Sequence, residues 1–281
     1  MKRTNMEALV SPHWVVNNPD SDSIIILDAT LNKTANKTSE IKGLVIQGAI
    51  YFDLDSTFSE PESDLPHTFP SALSIPSLLS GIGIRPDSTV VVYDQQGIYS
   101  APRVWWMLKA MGIEKTYILD GGLPAWLDAG LGISESYARP KVNRVCDFDI
   151  KPEQIVDKST VLKNITTPHF MLIDARPSER FSGRQAEPRA GLRCGHIPGS
   201  INIPFSEVLN NGHYKSPESL AEIFNRNGLN DNDELVFSCG SGVTACIVLL
   251  AAYLAGFKKL RIYDGSWAEW GADESLPLDL E

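Results

Sequence analysis

Long apolar runs are absent from this chain. No stretch approaches the roughly 20 consecutive apolar residues that a bilayer-spanning helix needs, which argues against a membrane partner. The start, Met1-Lys2-Arg3-Thr4-Asn5-Met6-Glu7, has two positive charges but no apolar segment behind them, so the sequence predicts neither a secretory signal nor an anchor. Positive charge is in the minority: 25 Lys and Arg stand against 35 Asp and Glu, a formal net charge of -10. A general nucleic-acid binder needs a basic face to neutralise phosphates, and this balance speaks against one. A small anionic substrate stays open, because a few arginines can reverse the field inside one cleft. Cysteine is scarce, with four in 281 residues: Cys146, Cys194, Cys239 and Cys246. No CxxC or HxxxH pattern occurs, so a zinc site fails on spacing. Without an export signal, free thiols in a reducing, cytoplasmic compartment are expected rather than disulfides.

What is present describes a globular protein with a core, 43% hydrophobic and 21% charged, long enough for two domains. The chain also repeats itself. Ile24-Ile25-Ile26-Leu27-Asp28-Ala29 is matched by Phe170-Met171-Leu172-Ile173-Asp174-Ala175, and Val90-Val91-Val92-Tyr93-Asp94 by Leu235-Val236-Phe237-Ser238-Cys239. Apolar helix patterns follow from Ser100 to Met111 and from Val243 to Leu254, and Tyr117-Ile118-Leu119-Asp120-Gly121-Gly122 is matched by Leu260-Arg261-Ile262-Tyr263-Asp264-Gly265. Asp28 to Asp94 is 66 positions and Asp174 to Cys239 is 65; Asp94 to Asp120 is 26 and Cys239 to Asp264 is 25. Agreement within one residue across these landmarks identifies a tandem duplication. Short, continuous, β-branched runs alternating with helix-period segments predict α/β domains, each with a mostly parallel sheet flanked by helices. Gly, Ser, Pro and charged residues accumulate between about Gly130 and Lys151, which places the domains at 1–140 and 150–281. In open parallel sheets, ligands bind beyond the carboxyl ends of the strands, which directs attention to Ser238-Cys239 and Tyr93-Asp94.

After the Cys239 strand comes Gly240-Ser241-Gly242-Val243-Thr244-Ala245 and then, at once, a helix pattern. Two glycines allow the backbone to curl so that several N–H groups converge, and the helix brings its positive end to the same point. A cysteine there is suited to act as a thiolate nucleophile toward an electrophilic sulfur. At the matching place the first repeat has Asp94, which cannot carry a sulfane sulfur.

The segment Cys239–Ala245 resembles the active loop of 3-mercaptopyruvate sulfurtransferases, in the rhodanese superfamily. The resemblance extends over nearly the whole chain, through Gly195-His196-Ile197-Pro198-Gly199, Tyr263-Asp264-Gly265-Ser266-Trp267, Ser100–Trp106 and Asp120-Gly121-Gly122. It implies two tandem rhodanese-like domains of which only the second is catalytic, with sulfur carried as a persulfide on Cys239. It implies no metal or organic cofactor. Relatives specific for thiosulfate put basic residues directly after the cysteine; here Gly240 and Ser241 are neutral, which favours 3-mercaptopyruvate as donor. By the same resemblance Arg180 and Arg189 meet the substrate carboxylate and keto oxygen, a task that suits a guanidinium fork. Gly240, Gly242, Val243 and Thr244 complete the binding set. Ser241, Asp55 and His67 match a proton-handling set, and a departing pyruvate enolate does need a proton.

Neighbouring residues have plainer readings. Arg184 and Arg193 are expected to be solvated surface groups, and His196, before Pro198, to be structural. Asp28, Asp120, Asp174 and Asp264 recur in both repeats and are expected to serve the fold. Trp105, Trp106, Trp126, Trp267 and Trp270 read as core and interface, Cys246 as packed and Cys194 as exposed.

The reaction this predicts is attack of the Cys239 thiolate on the thiol sulfur of the donor, departure of pyruvate, and transfer of the persulfide sulfur to a thiol such as reduced thioredoxin, or to cyanide. A thiosulfate:cyanide sulfurtransferase is the alternative donor reading, and a non-catalytic rhodanese-like binding module the alternative class. A cysteine phosphatase needs an arginine six positions after Cys239, where this chain has Ala245.

Overall fold

The computed structural model describes residues 8–31, 41, 43–142 and 144–281. Met1–Glu7, in which no export signal is read, lie outside them. Two compact units emerge: Met1–Pro61 with Phe69–Lys151 and Asn211–His213, and Glu62–Thr68 with Pro152–Asn210 and Tyr214–Glu281. Each unit therefore includes a short segment from the other half of the chain.

In the first unit five strands form a sheet: β1 (Leu9–Val10), β2 (Ile25–Asp28), β3 (Ile50–Tyr51), β4 (Val90–Tyr93) and β5 (Thr116–Leu119). All its pairings are parallel, in the order β1-β5-β4-β2-β3. In the second unit β6 (Ile155–Val156), β7 (Met171–Asp174), β8 (Ile201–Asn202), β9 (Glu234–Ser238) and β10 (Lys259–Tyr263) form another parallel sheet, in the order β6-β10-β9-β7-β8. The two orders are the same once matched strand for strand, so the duplication seen in the sequence is a duplication of topology. β4 and β9 are the central strands, and each is flanked on both sides. Central strands of a parallel sheet are covered on both faces, which is why the two read as largely apolar, VVVY and ELVFS.

The helices are α1 (Pro12–Asn17), α2 (Ile75–Gly81), α3 (Ala101–Ala110) and α4 (Gly122–Asp128) in the first unit. The second contains α5 (Lys158–Thr166), α6 (Ser178–Phe181), α7 (Pro217–Arg226), α8 (Ala245–Ala255) and α9 (Ser266–Trp270). α3 and α8 occupy the two stretches with apolar helical pattern. α8 has no polar face (ACIVLLAAYLA) and is buried over its first eight residues, as a helix covered all round must be. Gly256, with φ 102°, ends it in a left-handed cap. Among the described residues no helix is long and apolar enough to cross a membrane.

Two of the recurring aspartates, Asp28 and Asp174, hold turns of the fold. Asp28 is fully buried and accepts hydrogen bonds from the Thr30 amide at 2.9 Å and from the Thr30 hydroxyl at 2.5 Å. Its counterpart Asp174 accepts from the Arg176 guanidinium at 2.6 Å. The five tryptophans named above are all buried, and Cys246 is packed, its thiol donating to the Gly242 carbonyl at 3.3 Å. Arg193 corrects the surface reading. Its guanidinium donates to the carbonyls of Gly271, Leu276, Trp270 and Asp273, at 3.2, 2.9, 3.0 and 2.6 Å. It ties the loop before Gly195 to the chain end that follows α9, a role invisible in sequence because its acceptors are backbone atoms some eighty positions away. Arg184 does lie at the surface, paired with Glu281. His196 stacks on Phe181 at 3.8 Å and forms an isolated bridge with Asp279, a structural role.

Candidate active site

β9 ends at Ser238, and Cys239 begins the loop that runs into α8. The main chain around Cys239 is pinned by the start of α9. The Trp267 amide donates to the Cys239 carbonyl at 2.9 Å, and the Ala268 amide to the Gly240 carbonyl at 3.0 Å. The Cys239 amide donates to the Ser266 hydroxyl at 3.2 Å. Cys239 is 2% exposed and Ser241 9%; Gly242 and Val243 are buried, and Gly240 and Thr244 partly so. Gly242 has φ 74°, a left-handed conformation that glycine adopts without penalty. Thr244 sits at the N-cap of α8 without a side-chain capping bond. Among the described residues none of the amides of Ser241, Gly242, Val243, Thr244 and Ala245 donates to a protein acceptor.

The first unit shows what such a loop is built to hold. There the carboxylate of Asp94 accepts from the amides of Gln96 at 2.9 Å, Tyr99 at 2.7 Å, Ser100 at 2.9 Å and Ala101 at 2.9 Å. Four converging amides at a helix start form an anion cradle, here filled by the chain's own side chain. Burial pushes the Asp94 carboxyl above its ordinary value, while these amides pull it down. In the second unit, the residue at the head of the loop is Cys239.

Arg180, on α6, reaches the loop. A Cβ added to Gly240 would lie 3.2 Å from its Nη2, so the guanidinium stands where a side chain at 240 would project. Glu187 holds it there, accepting from Nε at 3.2 Å and pairing with Nη2. The same carboxylate, 2% exposed, also accepts from Arg176 at 2.7 Å. Arg176 is itself buried between Asp174, Glu187 and the Trp267 ring, whose centroid is 4.3 Å from its guanidinium carbon. Burial disfavours its charge, but Asp174 and Glu187 outweigh that and hold its pKa above the ordinary value. Arg189 is exposed and makes no hydrogen bond or ion pair among the described residues.

His67 belongs to the segment Glu62–Thr68 of the second unit, and its Nδ1 lies 3.3 Å from the Ser241 hydroxyl. Three non-glycine residues among those described have positive φ, and two of them, His67 at 59° and Ser266 at 51°, are at this loop. Strained backbone of this kind persists where the surroundings over-determine it, as at functional sites. Asp55 is exposed and belongs to the first unit; the carboxylate that caps its turn is Asp53, which accepts from the amides of Ser56 and Thr57 at 3.2 Å each.

Within one unit the fold therefore brings together Cys239, the whole loop to Thr244, Arg180 and His67, from the residues predicted by sequence. Three contributors were missed: Arg176, Glu187 and Ser266. For Ser266 a signal existed, since the repeat has glycine at the matching place.

This arrangement defines a class, a tandem pair of parallel α/β domains of which the second has a cysteine at the head of its amide loop. A family profile described as "Rhodanese-like domain" matches residues 11–129 and 157–273. Rat 3-mercaptopyruvate sulfurtransferase is 40% identical over 275 residues, covering 94% of this chain and 91% of the rat protein. Rat thiosulfate sulfurtransferase is 36% identical over 273 residues, covering 94% and 91%. The crystal structure of SseA, a 3-mercaptopyruvate sulfotransferase from Escherichia coli, superposes with a TM-score of 0.81 at 34% identity, over 93% of this chain and 99% of SseA. The chain belongs to the 3-mercaptopyruvate sulfurtransferase family of tandem rhodanese-like enzymes.

Proposed function

We propose that this enzyme moves sulfur from 3-mercaptopyruvate through a persulfide on Cys239 to a thiol or cyanide acceptor. The Cys239 thiolate attacks the thiol sulfur of the donor. The donor's C3–S bond breaks and its electron pair leaves with C3 as the enolate of pyruvate. The two sulfurs are each oxidised by one unit and C3 is reduced by two, so no outside redox partner is needed. The enolate takes a proton at C3, and the His67–Ser241 pair is suited to deliver it. Asp55 joins that set on family resemblance alone. An acceptor thiolate, such as that of reduced thioredoxin, then attacks the outer sulfur and restores the Cys239 thiolate.

The observation that carries this reading is the pair of matching loops. In one repeat the amides wrap the carboxylate of Asp94; in the other they have no acceptor among the described residues, and the leading residue is a cysteine. The loop of residues 239–244 is accordingly assigned to the sulfur end of the substrate, and Arg180 and Arg189 to its carboxylate and keto oxygen. Residues 1–140 form the domain without a nucleophile and 150–281 the catalytic domain. Gly240 and Ser241 are neutral, and that supports the mercapto-carboxylate as donor, although the Arg180 guanidinium stands beside Gly240. The similarity to rat thiosulfate sulfurtransferase keeps thiosulfate as the second donor to test. The four cysteines are free, which supports a reducing compartment such as the cytoplasm.

The test is steady-state sulfur transfer to cyanide from each donor, with wild type and Cys239→Ser. The expected outcome is a large kcat/KM preference for 3-mercaptopyruvate and no turnover by the variant. A preference for thiosulfate would overturn the donor assignment, and activity in Cys239→Ser would overturn the nucleophile.

A further inference from the structure

The turn that follows β10 has its residues in an order that backbone preference alone would not choose. Gly265 has an ordinary φ of -60°, while the next residue, Ser266, has φ 51°. A Cβ at Gly265 would crowd the Glu269 side chain, coming within 2.8 Å of its Cβ. At 266 glycine would be the unstrained choice. The first repeat makes that choice: Gly122, at the matching place, has φ 54°. One backbone bond also matches, since the Leu123 amide donates to the Asp94 carbonyl at 3.0 Å as the Trp267 amide does to the Cys239 carbonyl. The catalytic repeat thus accepts a strained backbone to place a hydroxyl where its sister repeat has only hydrogen.

That hydroxyl is fully buried and bridges two strand ends. It accepts from the Cys239 amide at 3.2 Å and donates to the Tyr263 carbonyl at 2.9 Å. With the Trp267 bond to the Cys239 carbonyl, both peptide planes flanking the Cys239 Cα are fixed. Its Cα–Cβ bond then has one direction. We infer that Ser266 is a positioning residue for the nucleophile, present only in the repeat that has one, and that its hydroxyl holds the Cys239 thiol in register with the amide loop.

This rests on reading Cys239 as the nucleophile, so the experiment includes a readout that needs no sulfur donor. Ser266→Gly removes the hydroxyl at a φ that glycine favours, so relief of backbone strain offsets part of the cost of leaving the Cys239 amide and the Tyr263 carbonyl without it, and a cooperative thermal melt should show the fold retained. Ser266→Ala removes the hydroxyl and keeps the strain. Both are expected to lose about 10- to 100-fold in kcat, with the donor KM within about twofold. Alkylation of Cys239 by iodoacetamide at neutral pH should slow about fivefold or more in both. Wild-type kcat and alkylation in Ser266→Gly would overturn the proposal, whatever the alanine variant does. Lost kcat with wild-type alkylation would overturn it too, because the hydroxyl would then act other than through Cys239. If neither form of the enzyme transfers sulfur, the alkylation rates still decide the positioning role.

Discussion

Arg180 and Arg189 look equivalent in sequence, two arginines nine positions apart in one charged loop, yet their surroundings separate them. Arg180 is fixed by a buried carboxylate that a second, deeper arginine shares, so Glu187 is neutralised from one side and directs Arg180 from the other. Asp174, Arg176, Glu187 and Arg180 together carry no net charge, which is how a cluster this buried remains tolerable. An anion arriving at the loop meets a guanidinium whose orientation is already set. Lysine at 180 would retain the charge but could not engage both Glu187 oxygens from a planar fork. Arg180→Lys is therefore expected to lose about 10- to 100-fold in kcat/KM for 3-mercaptopyruvate, mostly through KM, with little change in Tm. Steady-state kinetics beside a thermal melt checks this, and a variant within twofold of wild type would remove Arg180 from the binding site.

The unit of function is a strand end, a loop and a helix start, made twice. In the first copy, the turn preceding α4 is closed so tightly that a Cβ on Gly122 would lie 2.3 Å from the Asp94 carbonyl. Gly122→Ala would add that clash to the cost of a left-handed φ, and should lower the stability of the first unit by about 2–4 kcal/mol, read as a lower urea midpoint. An unchanged midpoint would mean that the first turn makes room for a Cβ as the second does at Ser266. Strands and long helices of these copies were legible because each runs as a continuous apolar segment. The destinations of loop amides were not, because they depend on φ at single positions such as 242 and 266. The role of Arg193 was hidden for a related reason, since its partners are carbonyls and carry no side-chain signature.

At the scale of the whole molecule, the duplication raises the question of what a repeat without a nucleophile contributes. Glu62–Thr68, from the first half of the chain, packs as part of the unit that contains Cys239, with the His67 imidazole at Ser241. The first half of the chain thus supplies the one imidazole that hydrogen-bonds the loop among the described residues. If that imidazole hands a proton to the departing enolate, its loss should slow chemistry without weakening substrate binding. Asparagine is the informative replacement, because it tolerates the left-handed φ of 59° at this position better than most residues, so the backbone of the segment is preserved. His67→Asn is expected to lower kcat about 100-fold while the donor KM and the alkylation rate of Cys239 stay within about twofold. A wild-type kcat would show that the proton comes from elsewhere, leaving the segment a structural brace. A slowed alkylation with unchanged KM would instead show that the imidazole acts on the thiol, and the borrowed segment would belong to activation of the nucleophile rather than to release of pyruvate.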